Sequence, residues 1–153
     1  LDEDLLSFVR KLKGMGYAVK IDTNGSFPEV LKSMIVEGIV DYIAMDVKGP
    51  PEKYSVVAGV DVDIGKIKES ISLIMEEKVP YEFRTTVVKE MLNMSDFEGI
   101  GELIKGAITF YLQRFVPSKT VDPAMLSSHT YSDTEFEEIR TVMLKYVERC
   151  EIR

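Results

Sequence analysis

The sequence predicts an α/β fold, a partial (β/α) barrel of four parallel strands with flanking helices. Two observations predict it. Apolar and β-branched runs at Tyr17–Ile21, Val40–Met45, Tyr81–Val88 and Ala107–Phe115 alternate with segments whose apolar residues recur at helical spacing. Such alternation with short connections implies right-handed βαβ units and a parallel sheet. Parity along each strand then gives one face a polar or charged side chain: Lys20 and Asp22, Tyr42 and Asp46, Glu82 and Arg84, Thr109 and Gln113. A solidly packed sheet does not hold that many unpartnered polar groups. The polar faces are therefore expected to line a ligand cavity, with the site at the strand C-termini.

The elements follow in order. Asp2 suits the cap of a first helix, with Glu3 and Asp4 in its first turn. Leu5, Leu6, Val9 and Leu12 form its apolar stripe, and Gly14 and Gly16 end it. Tyr17–Ile21 delivers Asp22 into the turn Thr23-Asn24-Gly25. Ser26 and Glu29 have capping-box spacing around Pro28, ahead of a helix with Val30, Leu31, Met34 and Ile35 that Gly38 stops. Val40–Met45 is nearly all apolar, as in a strand buried on both faces. Gly49-Pro50-Pro51 opens a loop expected to reach Val62.

Asp63 caps a helix carrying Ile64, Ile67, Ile71 and Ile74, and Val79-Pro80 breaks it before the third strand. Ser95 with Glu98 has the spacing of a second capping box, ahead of Phe97, Ile100, Leu103 and Ile104. After the fourth strand, Val116–Tyr131 reads as a long loop holding His129, a solvated residue by its polar surroundings. Ser132 with Glu135 opens a last helix through Phe136, Ile139, Val142, Met143, Tyr146 and Val147, with Cys150 as a small buried group on it.

The 153 residues suffice for one domain with a real core. Net charge is −7, with 26 acidic against 19 basic residues. That balance argues against a nucleic-acid partner, because phosphate binding needs a concentrated basic surface. No apolar run approaches the ~20 residues that span a bilayer. The single cysteine supports neither an internal disulfide nor a thiolate metal centre, and it suits a reducing cytoplasm. The chain opens on Leu1 at what reads as a helix start, so a longer polypeptide trimmed at its N-terminus is expected.

Asp22, Asp46 and Lys48 fall at the ends of the first two strands. Two such aspartates, with backbone carbonyls nearby, could hold a cation or orient a ribose or an amino acid. Asp46 and Lys48 could equally form an internal ion pair, Arg84 could partner Glu82, and Thr23 and Asn24 are turn formers first. The segment Gly49–Tyr54 is either a plain connection or a lid. No Gly-rich phosphate loop, Ser/His/Asp set or metal-ligand spacing is present. The residues alone stop at a small-molecule site in a barrel-like domain.

Four segments, in this order and spacing, go further: Asp22-Thr23-Asn24-Gly25, Tyr42-Ile43-Ala44-Met45-Asp46-Val47-Lys48, Tyr81–Val87 and Tyr111-Leu112-Gln113-Arg114-Phe115. They resemble the radical S-adenosylmethionine glycyl-radical-activating enzymes, most of all the anaerobic ribonucleoside-triphosphate reductase activating proteins and then pyruvate formate-lyase activating enzyme. The resemblance runs over nearly the whole chain and is weakest after Val116. It implies a six-stranded partial barrel of which residues 1–153 are the C-terminal portion, strands three to six. The family's Cys-x-x-x-Cys-x-x-Cys loop for a [4Fe-4S] cluster and its Gly-Gly-Glu-Pro motif are not in this sequence.

By the same resemblance, Asp22, Thr23, Asn24, Asp46, Lys48 and Arg84 are S-adenosylmethionine-binding residues. Gln113 stands in for a histidine that has no counterpart near Phe115, where Val116 follows. Asp22 and Asp46, with the carbonyls of Thr23 and Ala44, match a monovalent-cation position. The implied reaction is reductive cleavage of S-adenosylmethionine, with a 5′-deoxyadenosyl radical taking a hydrogen from a glycine of a partner glycyl radical enzyme. Without cluster ligands, this chain alone is expected to be inactive.

Two other readings compete. One is a non-catalytic domain that binds a nucleoside ligand or docks a protein. The other is an unrelated barrel lyase using Lys48 or Lys20 as an amine. If strands are missing before it, the first strand is an open edge, and a homodimer paired through Tyr17–Ile21 is expected.

Overall fold

The computed structural model describes residues 4–76, 79–117 and 123–153. Its elements are α1 (Asp4–Gly14), β1 (Lys20–Thr23), α2 (Pro28–Val36), β2 (Tyr42–Asp46), α3 (Tyr54–Ala58), α4 (Ile64–Glu76), β3 (Tyr81–Val87), α5 (Asp96–Leu103), β4 (Thr109–Arg114), α6 (Asp133–Met143) and β5 (Arg149–Ile152). Short 3₁₀ turns lie at Pro51–Lys53 and Pro123–Ser127. The strands are hydrogen-bonded into one sheet in the order β1-β2-β3-β4-β5. The α/β class holds, and the sheet has a strand beyond the four expected. The chain divides into two compact units, residues 1–45 with 63–82 and residues 46–62 with 83–153. The Asp2 cap and part of the Val116–Tyr131 loop lie outside the described residues.

In the first unit β1 runs parallel to β2, with Lys20 opposite Tyr42 and Asp22 opposite Ala44. The strand begins at Lys20 rather than Tyr17 because the earlier N–H groups are engaged elsewhere. The Tyr17 N–H closes α1 on the Leu12 carbonyl at 3.2 Å, and the Val19 N–H is taken by the Asp41 carboxylate at 2.6 Å. Helices α2 and α4 pack together, burying Leu31, Met34, Ile67, Ile71 and Ile74. The Ser26–Glu29 capping box does not form. Phe27 is the N-cap of α2 without a side-chain bond, and the Ser26 N–H donates to Asn24 Oδ1 at 3.0 Å. Pro28 in the first turn leaves one fewer N–H to satisfy.

In the second unit β3, β4 and β5 are parallel, with Arg84 opposite Tyr111 and Tyr111 opposite Glu151. Phe83, Phe110, Leu112 and Cys150 are buried, as are Phe97 and Ile100 of α5 and Phe136 and Ile139 of α6. Strand β5 corrects the expected last helix. That helix stops at Met143, although Tyr146, Val147 and Cys150 continue its spacing. The backbone instead switches partners. The Glu148 N–H donates to the Ala107 carbonyl at 3.0 Å and the Arg149 N–H to the Ile108 carbonyl at 3.1 Å. Cys150 therefore sits on a strand, not on the helix.

The structure departs from the sequence expectation at two more places. The loop from Gly49 contains the 3₁₀ turn and α3, which ends at Gly59 in the left-handed conformation (φ 71°). The Ser95–Glu98 capping box is absent. Asn93 does the capping: its Oδ1 accepts from the N–H groups of Ser95 and Asp96 at 3.1 and 3.2 Å and from the Ser95 hydroxyl at 2.7 Å. The third box forms as read, with Ser132 and Glu135 bonded reciprocally.

Candidate functional site

Asp46 is the last residue of β2, and Lys48 lies two residues on. Extended backbone sends side chains at this spacing to one side, and the two meet each other there. Asp46 Oδ2 lies 2.9 Å from Lys48 Nζ, and Asp46 Oδ1 accepts from Arg84 Nε at 2.8 Å. The three side chains are 29%, 36% and 15% exposed, so the cluster is enclosed yet reachable. Burial works to raise the Asp46 pKa, and Lys48 and Arg84 together outweigh it, holding the carboxyl below its ordinary range. With the carboxylate ionised, two cations share one anion.

Such a cluster can accept hydrogen bonds from ammonium or hydroxyl groups at Asp46 and present positive charge to a carboxylate. It is suited to a zwitterionic ligand. The expected Asp46–Lys48 ion pair is present, and Asp46 is also a partner of Arg84.

The backbone beneath this cluster is tied on several sides. The Val47 N–H donates to the Arg84 carbonyl at 2.8 Å. The buried Thr85 hydroxyl donates to the Val47 carbonyl at 2.6 Å. The Tyr54 hydroxyl reaches the Asp46 carbonyl at 3.4 Å. Tyr54 is buried, and burial pushes its phenol up to about 12, so it remains a neutral donor near pH 7. Sequence reasoning found neither Tyr54 nor Thr85, because both look like ordinary core residues. Gln113 is half-buried on β4 opposite Thr86.

In the first unit, Asp22 is exposed on β1 with Lys20 Nζ at 3.9 Å. Thr23 and Asn24 shape the turn as expected: Thr23 Oγ1 accepts from the Gly25 N–H at 3.1 Å, and Asn24 Oδ1 holds the Ser26 N–H. Gly25 has φ 76°, and a Cβ there would collide with the Met45 side chain. The Ser70 hydroxyl fixes its carbonyl at 2.8 Å. Asp22, Thr23 and Asn24 rim a cavity of about 280 Å³ whose floor is apolar, with Ile21, Phe27 and Leu31 among its lining. Glu82 is buried and accepts from Tyr42 at 3.1 Å and from Lys20 at 3.4 Å.

His129 is exposed, as read, and its Nδ1 lies 2.8 Å from Glu90. Cys150 is buried, and burial pushes its thiol up to about 12. Among the described residues no group of three or more His, Cys, Asp or Glu is placed to hold a metal ion, and no helix is long and apolar enough to cross a membrane.

Comparison with known proteins bears out the expected resemblance. Over 153 residues the sequence is 31% identical to "Putative glycyl-radical enzyme activating enzyme MJ1227" of Methanocaldococcus jannaschii, covering 97% of this chain and 64% of that protein. The chain thus spans less than two thirds of that relative's length. The fold matches the crystal structure of a domain of pyruvate-formate lyase-activating enzyme from Bacteroides vulgatus, with a TM-score of 0.75 at 14% identity, over 99% of this chain and 90% of that one. No protein-family model matches the sequence.

Proposed function

We propose, on the premise that the chain is homologous to a glycyl-radical enzyme activating enzyme, that it is the S-adenosylmethionine-binding C-terminal portion of a radical enzyme. That enzyme generates a glycyl radical in a partner protein. The observation that carries this reading is the Asp46 carboxylate shared by Lys48 and Arg84.

S-adenosylmethionine has an ammonium, a carboxylate and ribose hydroxyls, and the three side chains match that set. Asp46 takes the ammonium or ribose hydroxyls, while Lys48 and Arg84 offer charge to the carboxylate. Gln113, and in the first unit Asp22, Thr23 and Asn24, are assigned as ligand contacts on the family resemblance. The monovalent cation is not part of this reading, because both Asp46 oxygens already have cationic partners. The chemistry that S-adenosylmethionine supplies in such enzymes is a carbon radical able to take a hydrogen atom from glycine. The part of these residues is to bind, orient and exclude water.

A [4Fe-4S] cluster does not fit this chain. Its one thiol is buried and resists ionisation, and cluster iron needs several thiolates. Thiolates for such a cluster would have to be supplied by residues other than these 153. The 153-residue chain, reconstituted with iron, sulfide and reductant, is expected to form no 5′-deoxyadenosine. The partner is a glycyl radical enzyme, the setting is cytoplasmic, and the isolated chain self-associates through the β1 edge.

The test is equilibrium dialysis of S-adenosylmethionine with the full-length protein. Binding is expected, with at least about tenfold loss in Asp46→Asn, the scale of one charge-assisted hydrogen bond. Unchanged affinity would remove Asp46 from the site, and no binding by the parental protein would leave a non-catalytic docking domain as the better account.

A further inference from the structure

We propose that Thr85 and Tyr54 are positioning residues, which hold the 46–48 backbone so that Asp46 and Lys48 stand together beside Arg84. The proposal rests on the ligand-binding reading above for its purpose, but its geometry stands without it.

Strand β2 ends at Asp46, and the next residue still carries an exacting demand. Asp46 and Lys48 converge on one point only if the backbone stays extended through Val47. The β3 strand still holds the Val47 N–H, which donates to the Arg84 carbonyl at 2.8 Å, but Gly49-Pro50-Pro51 follows at once. Thr85 supplies the second restraint, on the Val47 carbonyl. It is 1% exposed, neighbours Arg84 on β3, and gives its only proton to the Val47 carbonyl at 2.6 Å. The carbonyl it holds belongs to the residue between the two charged ones. Valine there would have the same shape without the donor, leaving a buried carbonyl short of a partner.

Tyr54 restrains the preceding carbonyl, that of Asp46 itself. Its ring is 2% exposed, and the segment carrying it is anchored to α5. Lys53 Nζ lies 2.7 Å from Asp96 Oδ2, which also accepts the Asn93 N–H at 2.8 Å. Pro50 lies so close to Gly99 that a Cβ at 99 would collide with it. The Thr85 hydroxyl from β3 holds the Val47 carbonyl, and the Tyr54 hydroxyl from the start of α3 reaches the carbonyl before it. The segment 49–54, readable as a plain connection or a lid, acts as a brace for the cluster.

The experiment follows the Asp46 side-chain carboxyl by carbon-13 NMR titration in the 153-residue chain, for Thr85→Val, Thr85→Ser and Tyr54→Phe. Loosening the backbone separates Asp46 from Lys48 and Arg84, so its midpoint is expected to rise by at least about half a pH unit in Thr85→Val, the direction of losing part of a cationic neighbour's influence. A smaller rise is expected in Tyr54→Phe, whose bond is longer, and the parental midpoint in Thr85→Ser, which keeps the donor. A role in stability alone would lower the melting temperature and leave the midpoint of the folded state where it is. Unchanged midpoints in both deletions overturn the proposal. If Thr85→Val does not fold, Tyr54→Phe decides by the same criterion.

S-adenosylmethionine affinity of the same variants, measured in the full-length protein, separates the two readings. A shifted midpoint with unchanged affinity upholds the brace and removes the cluster from the ligand site. A shifted midpoint with a loss of affinity of about threefold or more supports both.

Discussion

Arg84 Nε lies 2.8 Å from Asp46 Oδ1, and of the two side chains the guanidinium is the more enclosed, 15% exposed against 29%. Removing the guanidinium leaves Asp46 with Lys48 alone. A hydrogen bond to a charged group contributes about 1.5–3 kcal/mol, and partial exposure places this one near the lower end. Arg84→Met is expected to lower the urea-unfolding free energy by about 1–2 kcal/mol and to raise the Asp46 pKa. Arg84→Lys recovers only part of it, because an ammonium lacks the planar fork. Unchanged stability in Arg84→Met would show that the pair is not formed in solution.

Among the described residues five carboxyls are held below their ordinary range, Glu37, Asp41 and Glu90 by their own partners, and Asp46 and Glu135 show how acid stability follows. Asp46 is held low by Lys48 and Arg84 against the effect of its burial. Glu135 is lowered to about 2, first by its bond to Lys89 and then by those to Ser132. Both have folded pKa values below their unfolded ones, so the folded state binds fewer protons. Their stabilisation is complete above the unfolded values of roughly 4 and is lost as pH falls through the folded values. The melting temperature is expected to decline between pH 5 and pH 2, a window set by those values. Glu135→Gln should flatten that decline, and an identical profile in the variant would contradict the assignment.

These groups differ in how far the sequence discloses them. Asp46 and Lys48 declare themselves by parity, because two residues apart on extended chain means one side. Arg84 declares only its face, since pairing across strands depends on register. Thr85 and Tyr54 are invisible as site residues: a buried threonine and a tyrosine in a loop become braces only when residues 38 and 8 positions away are brought to their hydroxyls. The capping boxes failed where a nearby asparagine offered a better acceptor, Asn24 before α2 and Asn93 before α5, and held at Ser132. Strand β5 was hidden by its own residues. Tyr146, Val147 and Cys150 suit either period, and only the carbonyls of Ala107 and Ile108 decide between them.

Strand β1 lies at the end of the strand order, and Tyr17 just before it is 57% exposed. An edge strand is a template for pairing with another chain. The isolated 153-residue chain is expected to show a concentration-dependent dimer in sedimentation equilibrium, and Tyr17→Lys to shift it toward monomer. A single monomeric mass at all concentrations would dismiss this association.

The anchor of the brace is itself open to test. Asp96 is buried, with its side chain 9% exposed, while Lys53 keeps 40% of its surface. The two ends of the pair are therefore unequal. Removing the lysine leaves a buried carboxylate with the Asn93 N–H as a remaining partner, whereas removing the charge of Asp96 leaves an ammonium that water can reach. Leaving a buried charge uncompensated costs up to about 3–5 kcal/mol, and partial exposure reduces it. Lys53→Met is expected to cost about 1–3 kcal/mol in urea unfolding and Asp96→Asn less. The double variant should be more stable than the sum of the single losses predicts, because the neutral amide no longer needs the cation. A cycle in which the two losses simply add would mean that Lys53 and Asp96 do not interact in solution.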